Sequence, residues 1–113
     1  MEKVTTQLIN KLSNKLKQDG IGKVVVGAII FSESGQVLLL ERLPSEFKGG
    51  LVELPSGNIE AEEGIIEGLG REVDEETALK VAKVIGYVGS FDYYSSSGKK
   101  VRQLNFVVTV GSG

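Results

Sequence analysis

Gly57-Asn58-Ile59-Glu60-Ala61-Glu62-Glu63, followed seven residues later by Arg71-Glu72-Val73-Asp74-Glu75-Glu76-Thr77-Ala78-Leu79, packs eight acids around a single arginine. The eight are Glu60, Glu62, Glu63, Glu67, Glu72, Asp74, Glu75 and Glu76, more than half of the chain's 15 acids. Outside this stretch seven acids face twelve of the 13 bases, so the net charge of -2 conceals an acidic patch in a basic remainder. Such a patch attracts cations.

Ile65, Ile66, Leu69 and Val73 recur at helical spacing and predict an amphipathic helix beneath the acids. At 100° per residue, Glu72, Glu75 and Glu76 fall within about 100° of one another, on one side. On the same wheel Glu72 and Glu76 border the apolar stripe, partly shielded from water, while Glu67 and Asp74 project to the solvated face. Like charges three and four residues apart each cost roughly 0.2–0.5 kcal/mol on an exposed helix. Arg71, four residues before Glu75, offsets part of this. A folded domain tolerates three clustered carboxylates readily if a divalent cation neutralises them, and hard oxygen ligands select magnesium, manganese or calcium. From the residues alone, the competing readings are a solvated acidic face, or a protein-interaction surface carried by Glu67 and Asp74.

Composition narrows the chemistry further. A chain of 113 residues, 41% apolar and 25% charged, makes one globular domain. The absence of cysteine removes disulfides, thiolate catalysis and sulfur metal sites together. Histidine is absent too, so any base, nucleophile or metal ligand is a carboxylate, hydroxyl, lysine or water, and a tetrahedral zinc site is out of keeping. No apolar run approaches the roughly 20 residues of a membrane span, and the N-terminus lacks the apolar core of a signal peptide. The expected location is the cytoplasm.

Outward from the acidic helix, the chain divides into residues 1–20 and 21–113. In the first, Val4, Leu8, Ile9, Leu12 and Leu16 predict an amphipathic helix from Val4 to Lys17 with a structural role, ending before Asp19-Gly20. In the second, Lys23 to Phe31 and Gln36 to Glu41 read as strands joined by a short turn. Pro44 and Lys48-Gly49-Gly50 mark a loop, and Leu51 to Leu54 is a short extended piece stopped by Pro55 and Gly57. After the acidic helix come strands at Val81 to Val88 and Lys100 to Val110, with a turn at Tyr93 to Gly98 between them. The pattern predicts a mixed α/β domain.

The spacing Gly57, five residues, Glu63, seven residues, then Arg71-Glu72-Val73, Glu75-Glu76 and Leu79 resembles the signature of the Nudix hydrolases, the MutT-like family. The similarity covers roughly residues 23 through 110 and includes Val37 to Arg42, Leu51 to Pro55 and Arg102 to Phe106. It implies an α/β/α sandwich with a mixed sheet, here with an extra N-terminal helix. It also implies that Glu72, Glu75 and Glu76 bind Mg2+ or Mn2+, that Gly57 offers its carbonyl to the metal, and that Glu63 assists nearby. Arg71 then orients a carboxylate, where the residues alone suggest an ordinary pair with Glu75. The implied reaction is hydrolysis of a phosphoanhydride in a nucleoside diphosphate linked to another moiety: a nucleoside triphosphate, ADP-ribose or a nucleotide sugar. The implied partner is a nucleotide-type small molecule, neither a nucleic acid polymer nor a membrane. Arg42 resembles a recurrent family position that holds substrate. Phe91, Tyr93, Tyr94 and Phe106 either stack on a base or fill the core.

Four departures accompany the resemblance. Ala78 stands where a glycine usually closes the signature, Ser56 where a second glycine is common, and Glu62 where a glycine usually precedes Glu63. Beyond Glu76 the sole acid is Asp92, where many relatives place a further glutamate. Family members continue with another strand and a long helix, so this chain is expected to lack the C-terminal helix. Either the domain is truncated at its C-terminus, or the N-terminal helix or a second subunit, as in a homodimer, covers the exposed sheet face. These departures motivate the alternative of a catalytically weak or inactive nucleotide-binding or regulatory module.

Overall fold

The computed structural model describes residues 1–31, 35–38, 40–41, 52–53 and 55–111. Arg42 and the Pro44 and Lys48-Gly49-Gly50 loop lie outside them. In chain order the elements are α1 (Thr6–Gln18), β1 (Lys23–Phe31), β2 (Val37–Leu38), β3 (Leu40–Glu41), β4 (Val52–Glu53), β5 (Ser56–Asn58), α2 (Ile65–Thr77), β6 (Lys80–Tyr94) and β7 (Lys100–Gly111). The main sheet runs β2-β1-β7-β6, with β5 also paired to β1, and β3 and β4 form a small separate ladder. β1 and β7 are parallel and the other pairs antiparallel, so the sheet is mixed. No helix among the described residues is long and apolar enough to cross a membrane.

The alternation of β1 and β7 sets the core. Val26, Ala28 and Ile30 point to the same face as Leu104, Phe106 and Val108, and all six are buried there with Ile65, Leu69 and Val73 of α2. Ile9, Leu12 and Leu16 of α1 pack against the same cluster. Both helices therefore lie on one face of the sheet, so α1 has the structural role its amphipathic pattern predicts but does not cover the opposite face, as one expectation had it, because its apolar stripe is spent on the same core as that of α2. It begins two residues later than the periodicity suggests, because Thr5 is the N-cap and its Oγ1 accepts from Leu8 N at 3.1 Å. At the other end Arg102 donates to both carboxylate oxygens of Asp92, at 2.7 and 2.8 Å, and lies 2.9 Å from Asp19, the C-cap of α1. Arg102 holds both carboxyls below the usual carboxylate range.

β6 corrects the expected strand, which stopped at Val88. Register shifts fall between Val81 and Lys83, Val84 and Gly86, and Tyr87 and Gly89. Each inserts an extra residue, so Val81, Val84 and Tyr87, three apart, all face the helices. The inserted Ile85 and Val88 are left exposed. Beyond the last bulge the strand runs on to Tyr94, taking in Tyr93 and Tyr94, which had been assigned to a turn.

Pro55 and Gly57 do not stop the chain, as expected, but lead into β5. Pro55 lacks a donor yet accepts from Ala28 N at 2.9 Å, which is all that position of the ladder asks of it. Glu62 and Ala78, by contrast, occupy positions that do favour glycine: their φ angles are 66° and 60°. Ala78 is the left-handed C-cap of α2, its N–H bonded to Asp74 O at 2.8 Å. Ala78→Gly is expected to raise stability by about 1 kcal/mol, and Glu62→Gly to act in the same direction. Urea unfolding midpoints measure both.

Candidate active site

α2 forms because Ile65, Leu69 and Val73 bury one stripe on the sheet. Its N-terminus is Gly64, which has no side chain to cap with, and Glu67 reaches back instead: Gly64 N donates to Glu67 Oε1 at 3.1 Å. Glu67, expected to be plain solvating charge, is thus half of a capping box. Asp74 pairs with Lys80. At the exit Thr77 Oγ1 donates to Val73 O at 2.6 Å and accepts from Leu79 N, turning the chain toward β6.

Arg71 is the hub of the acidic cluster. It grips Glu63 through two bonds, Nε to Oε2 at 2.7 Å and Nη2 to Oε1 at 3.0 Å. Nη2 also donates to the Asn58 carbonyl at 2.8 Å, and Nη1 donates to Glu72 and Glu75, each at 3.0 Å. Glu60 lies 3.6 Å from the same Nη1. The i,i+4 pair with Glu75 is present, but it is one contact among several. Arg71 ties the loop after β5 to the helix, and the guanidinium is held more firmly charged by Glu63 first and then by Glu75 and Glu72.

Two close approaches fix the carboxylates. A Cβ at Gly57 would sit 2.7 Å from Glu72 Oε1 and closer still to Oε2 and Cδ, so the Glu72 carboxylate occupies the place where a side chain would be. A Cβ at Gly68 would lie 2.9 Å from Glu63 Oε1. Glu72 and Glu63 keep only 13% and 10% of their side-chain surface, whereas Glu75 keeps 59% and Glu76 is exposed. The wheel's border position therefore describes Glu72 and not Glu76, because the loop from Gly57 to Glu63 covers only the near side of the helix.

Of the residues expected at the site, Gly57, Glu63, Arg71, Glu72 and Glu75 are brought together, and Glu76 follows on the exposed side of the same turn. The sequence pattern did not reveal Asn58, whose part is played by its backbone carbonyl, or Gly68, whose part is an absent side chain. The Gly64 and Glu67 spacing was a readable capping signal. Asp92, the sole later acid, is committed to Arg102. Among the aromatics, Phe106 is core, fully buried against Tyr87 at a centroid distance of 5.3 Å. Phe91, Tyr93 and Tyr94 are exposed.

Charge sets a pH dependence. The bidentate Arg71 contact, followed by the Glu60 N–H, lowers the Glu63 carboxyl from 4.5 to about 2. A depressed folded value stabilises the protein fully above the unfolded value, and that contribution is lost as pH falls from about 4.5 toward 2. The stability gap between wild type and Arg71→Met is expected to be full above pH 4.5 and to narrow across this window. Thermal melts at stepped pH read it directly.

The donor set suits a hard cation. It offers carboxylates on one side of a helix turn and a glycine cradle against which Glu72 is seated, with no histidine or cysteine in the chain. Among the described residues no three acidic side chains are grouped so as to hold a metal ion; Glu72 and Glu75 are instead turned to Arg71 Nη1. The residues that could hold a divalent ion are Glu72, Glu75, Glu76 and the Gly57 carbonyl.

The fold and site describe an α/β domain with a carboxylate and arginine cluster on a helix packed over a mixed sheet. The NUDIX domain family matches residues 22–110, and the chain belongs to that family. It is 34% identical over 77 residues to "Nudix hydrolase 6" of Arabidopsis thaliana, a match covering 66% of this chain and 27% of that protein. Among solved structures it resembles a NUDIX hydrolase from Nitrosomonas europaea, with a TM-score of 0.64, 28% identity, and coverage of 80% of this chain and 60% of that one. It also resembles a MutT protein from Methanosarcina mazei Go1, with a TM-score of 0.64, 31% identity, and coverage of 80% and 66%. The chain thus spans about a quarter of the length of the curated relative and three fifths of the first of these structures.

Proposed function

We propose that this protein hydrolyses a phosphoanhydride in a nucleoside diphosphate linked to a further group, with Mg2+ or Mn2+ held by Glu72, Glu75, Glu76 and the Gly57 carbonyl. The observation that carries this reading is the Glu72 carboxylate seated on Gly57 and tied to Arg71 Nη1 at 3.0 Å. When bound, a divalent ion there supplies charge for the diphosphate oxygens and lowers the pKa of a coordinated water. In the net reaction water adds to one phosphorus and the bridging P–O–P bond breaks. Arg71 is a positioning residue: it fixes Glu63 and Glu72 and limits repulsion among the acids without reaching the substrate. Glu75 and Glu76, on the exposed side of the turn, face the solvent from which a nucleotide arrives. Arg42 is proposed as a substrate contact on resemblance alone. The cysteine-free composition fits a cytoplasmic setting.

Asp92 favours the alternative, a nucleotide-binding or regulatory module with weak turnover, because Arg102 grips both of its carboxylate oxygens and keeps it from acting as a further acid of the site. A hydrolysis panel of nucleoside triphosphates, ADP-ribose and nucleotide sugars, with Mg2+, with Mn2+ and with chelator, separates the two. The proposal expects metal-dependent release of nucleoside monophosphate that Glu76→Gln abolishes. A folded protein that turns over nothing in the panel overturns it.

A further inference from the structure

β6 is the outermost strand of the main sheet, and among the described residues its free edge has one partner, Glu2. Glu2 and Tyr87 exchange both backbone bonds, at 2.8 and 2.7 Å, so this edge already takes an antiparallel neighbour at one position. The direction of the remaining groups follows from the ladder. Gly22 N donates to Lys100 O at 2.9 Å, so the Lys100 backbone faces β1, and its register partner Tyr94 turns N–H and C=O outward. No register shift falls between Gly89 and Tyr94, so Asp92 and Ser90 face outward as well.

The two halves of this edge are guarded differently. From Lys80 to Gly89 it carries Lys80 and Lys83, all the bulges and the Glu2 bridge, devices that keep strand edges from pairing. From Ser90 to Tyr94 it carries no bulge, proline or lysine. The charge in this half, Asp92, is taken up by the two bonds from Arg102. Apolar surface gathers on the same strand: Ile85, Val88, Phe91, Tyr93 and Tyr94 are five of the seven large hydrophobics exposed among the described residues. The Phe91 and Tyr93 rings lie together, with centroids 6.0 Å apart.

We infer that the edge from Ser90 to Tyr94 pairs antiparallel with the same segment of a second copy of this chain, joining the two main sheets into one. The segment is its own complement. With the twofold axis at Asp92, Ser90 faces the partner's Tyr94 and Asp92 faces the partner's Asp92, so each outward N–H meets an outward C=O. Phe91 falls opposite the partner's Tyr93 in the closer, non-hydrogen-bonded pairs, and the ring pairs of the two copies merge into one cluster. Facing carboxylates would oppose this register, but each Asp92 is neutralised by its own Arg102. Length fits as well: the same count brings the partner's hairpin turn level with Tyr87, where Glu2 already holds the edge. One short strand pair with its rings lies below the roughly 1,200 Å² of stable complexes, so the dimer is reversible, with a dissociation constant on the order of 10–100 μM. It does not use the carboxylate cluster and stands apart from the proposed reaction.

The test is sedimentation equilibrium of the whole chain from about 5 to about 500 μM, with amide hydrogen exchange followed by NMR at both ends of that range. A monomer–dimer equilibrium is expected, in which exchange at the Ser90, Asp92 and Tyr94 amides slows about threefold or more at the high concentration. Phe91 and Tyr93, whose amides face β7, are expected to exchange alike at both. Replacing the exposed rings together, Phe91→Lys with Tyr93→Lys, is expected to raise the dissociation constant about tenfold or more. Ser90→Pro removes an outward N–H without touching the rings or the bonds to β7, and about the same loss is expected, so the inference stays testable if the lysine variant folds poorly. A monomer across the whole range, a dimer that either folded variant leaves unchanged, or slowed exchange at other amides in place of these three overturns the inference.

Discussion

An alanine at Gly57 is expected to lower turnover by about 10²-fold in a protein that still folds. The backbone there is a strand segment opposite Val26, which alanine adopts without strain. The added methyl group has no room, because the Glu72 carboxylate fills the space. Glu72 must swing away, breaking its 3.0 Å bond to Arg71 and leaving the face it shares with Glu75. Overpacking of this kind costs about 1–3 kcal/mol, so circular dichroism should show a folded but less stable chain. Near wild-type kcat in Gly57→Ala would mean that the seat under Glu72 has no bearing on catalysis.

The second large effect is expected at Arg71. Lysine keeps the positive charge but cannot serve Glu63, Glu72, Glu75 and the Asn58 carbonyl together, since it lacks the planar fork that spans them. Arg71→Lys is therefore expected to lose about 10- to 100-fold in kcat/KM. Much of that loss should reflect weaker metal binding, so raising the Mn2+ concentration should restore part of it. A loss that metal cannot touch would point to direct contact between Arg71 and substrate, against the positioning role given to it.

The helix and its acids were legible because α2 follows one period and buries one stripe. Ile65, Leu69 and Val73 announce it, and Glu72, Glu75 and Glu76 follow from the same 3.6-residue geometry. Arg71 was only half legible: Glu75 is four residues away, but Glu63 and Asn58 are eight and thirteen away and come within reach only when the loop folds back. β6 was read too short because three bulges set its inward residues, Val81, Val84 and Tyr87, three apart. That spacing belongs neither to a regular strand nor to a helix. The same bulges decide which face Phe91 and Tyr93 occupy, so sequence could not divide the aromatics into core and surface. Ala78 and Glu62, which stand where the resemblance has glycine, are each held at positive φ.

Binding of Mn2+, followed by electron paramagnetic resonance of the free ion, tests the central claim most directly. The account predicts that wild type binds Mn2+ and that Glu72→Gln and Glu76→Gln each weaken it by about tenfold or more, while Glu67→Gln and Asp74→Asn bind as wild type does. Equal binding by all four variants, or a loss confined to Glu67→Gln and Asp74→Asn, would contradict it.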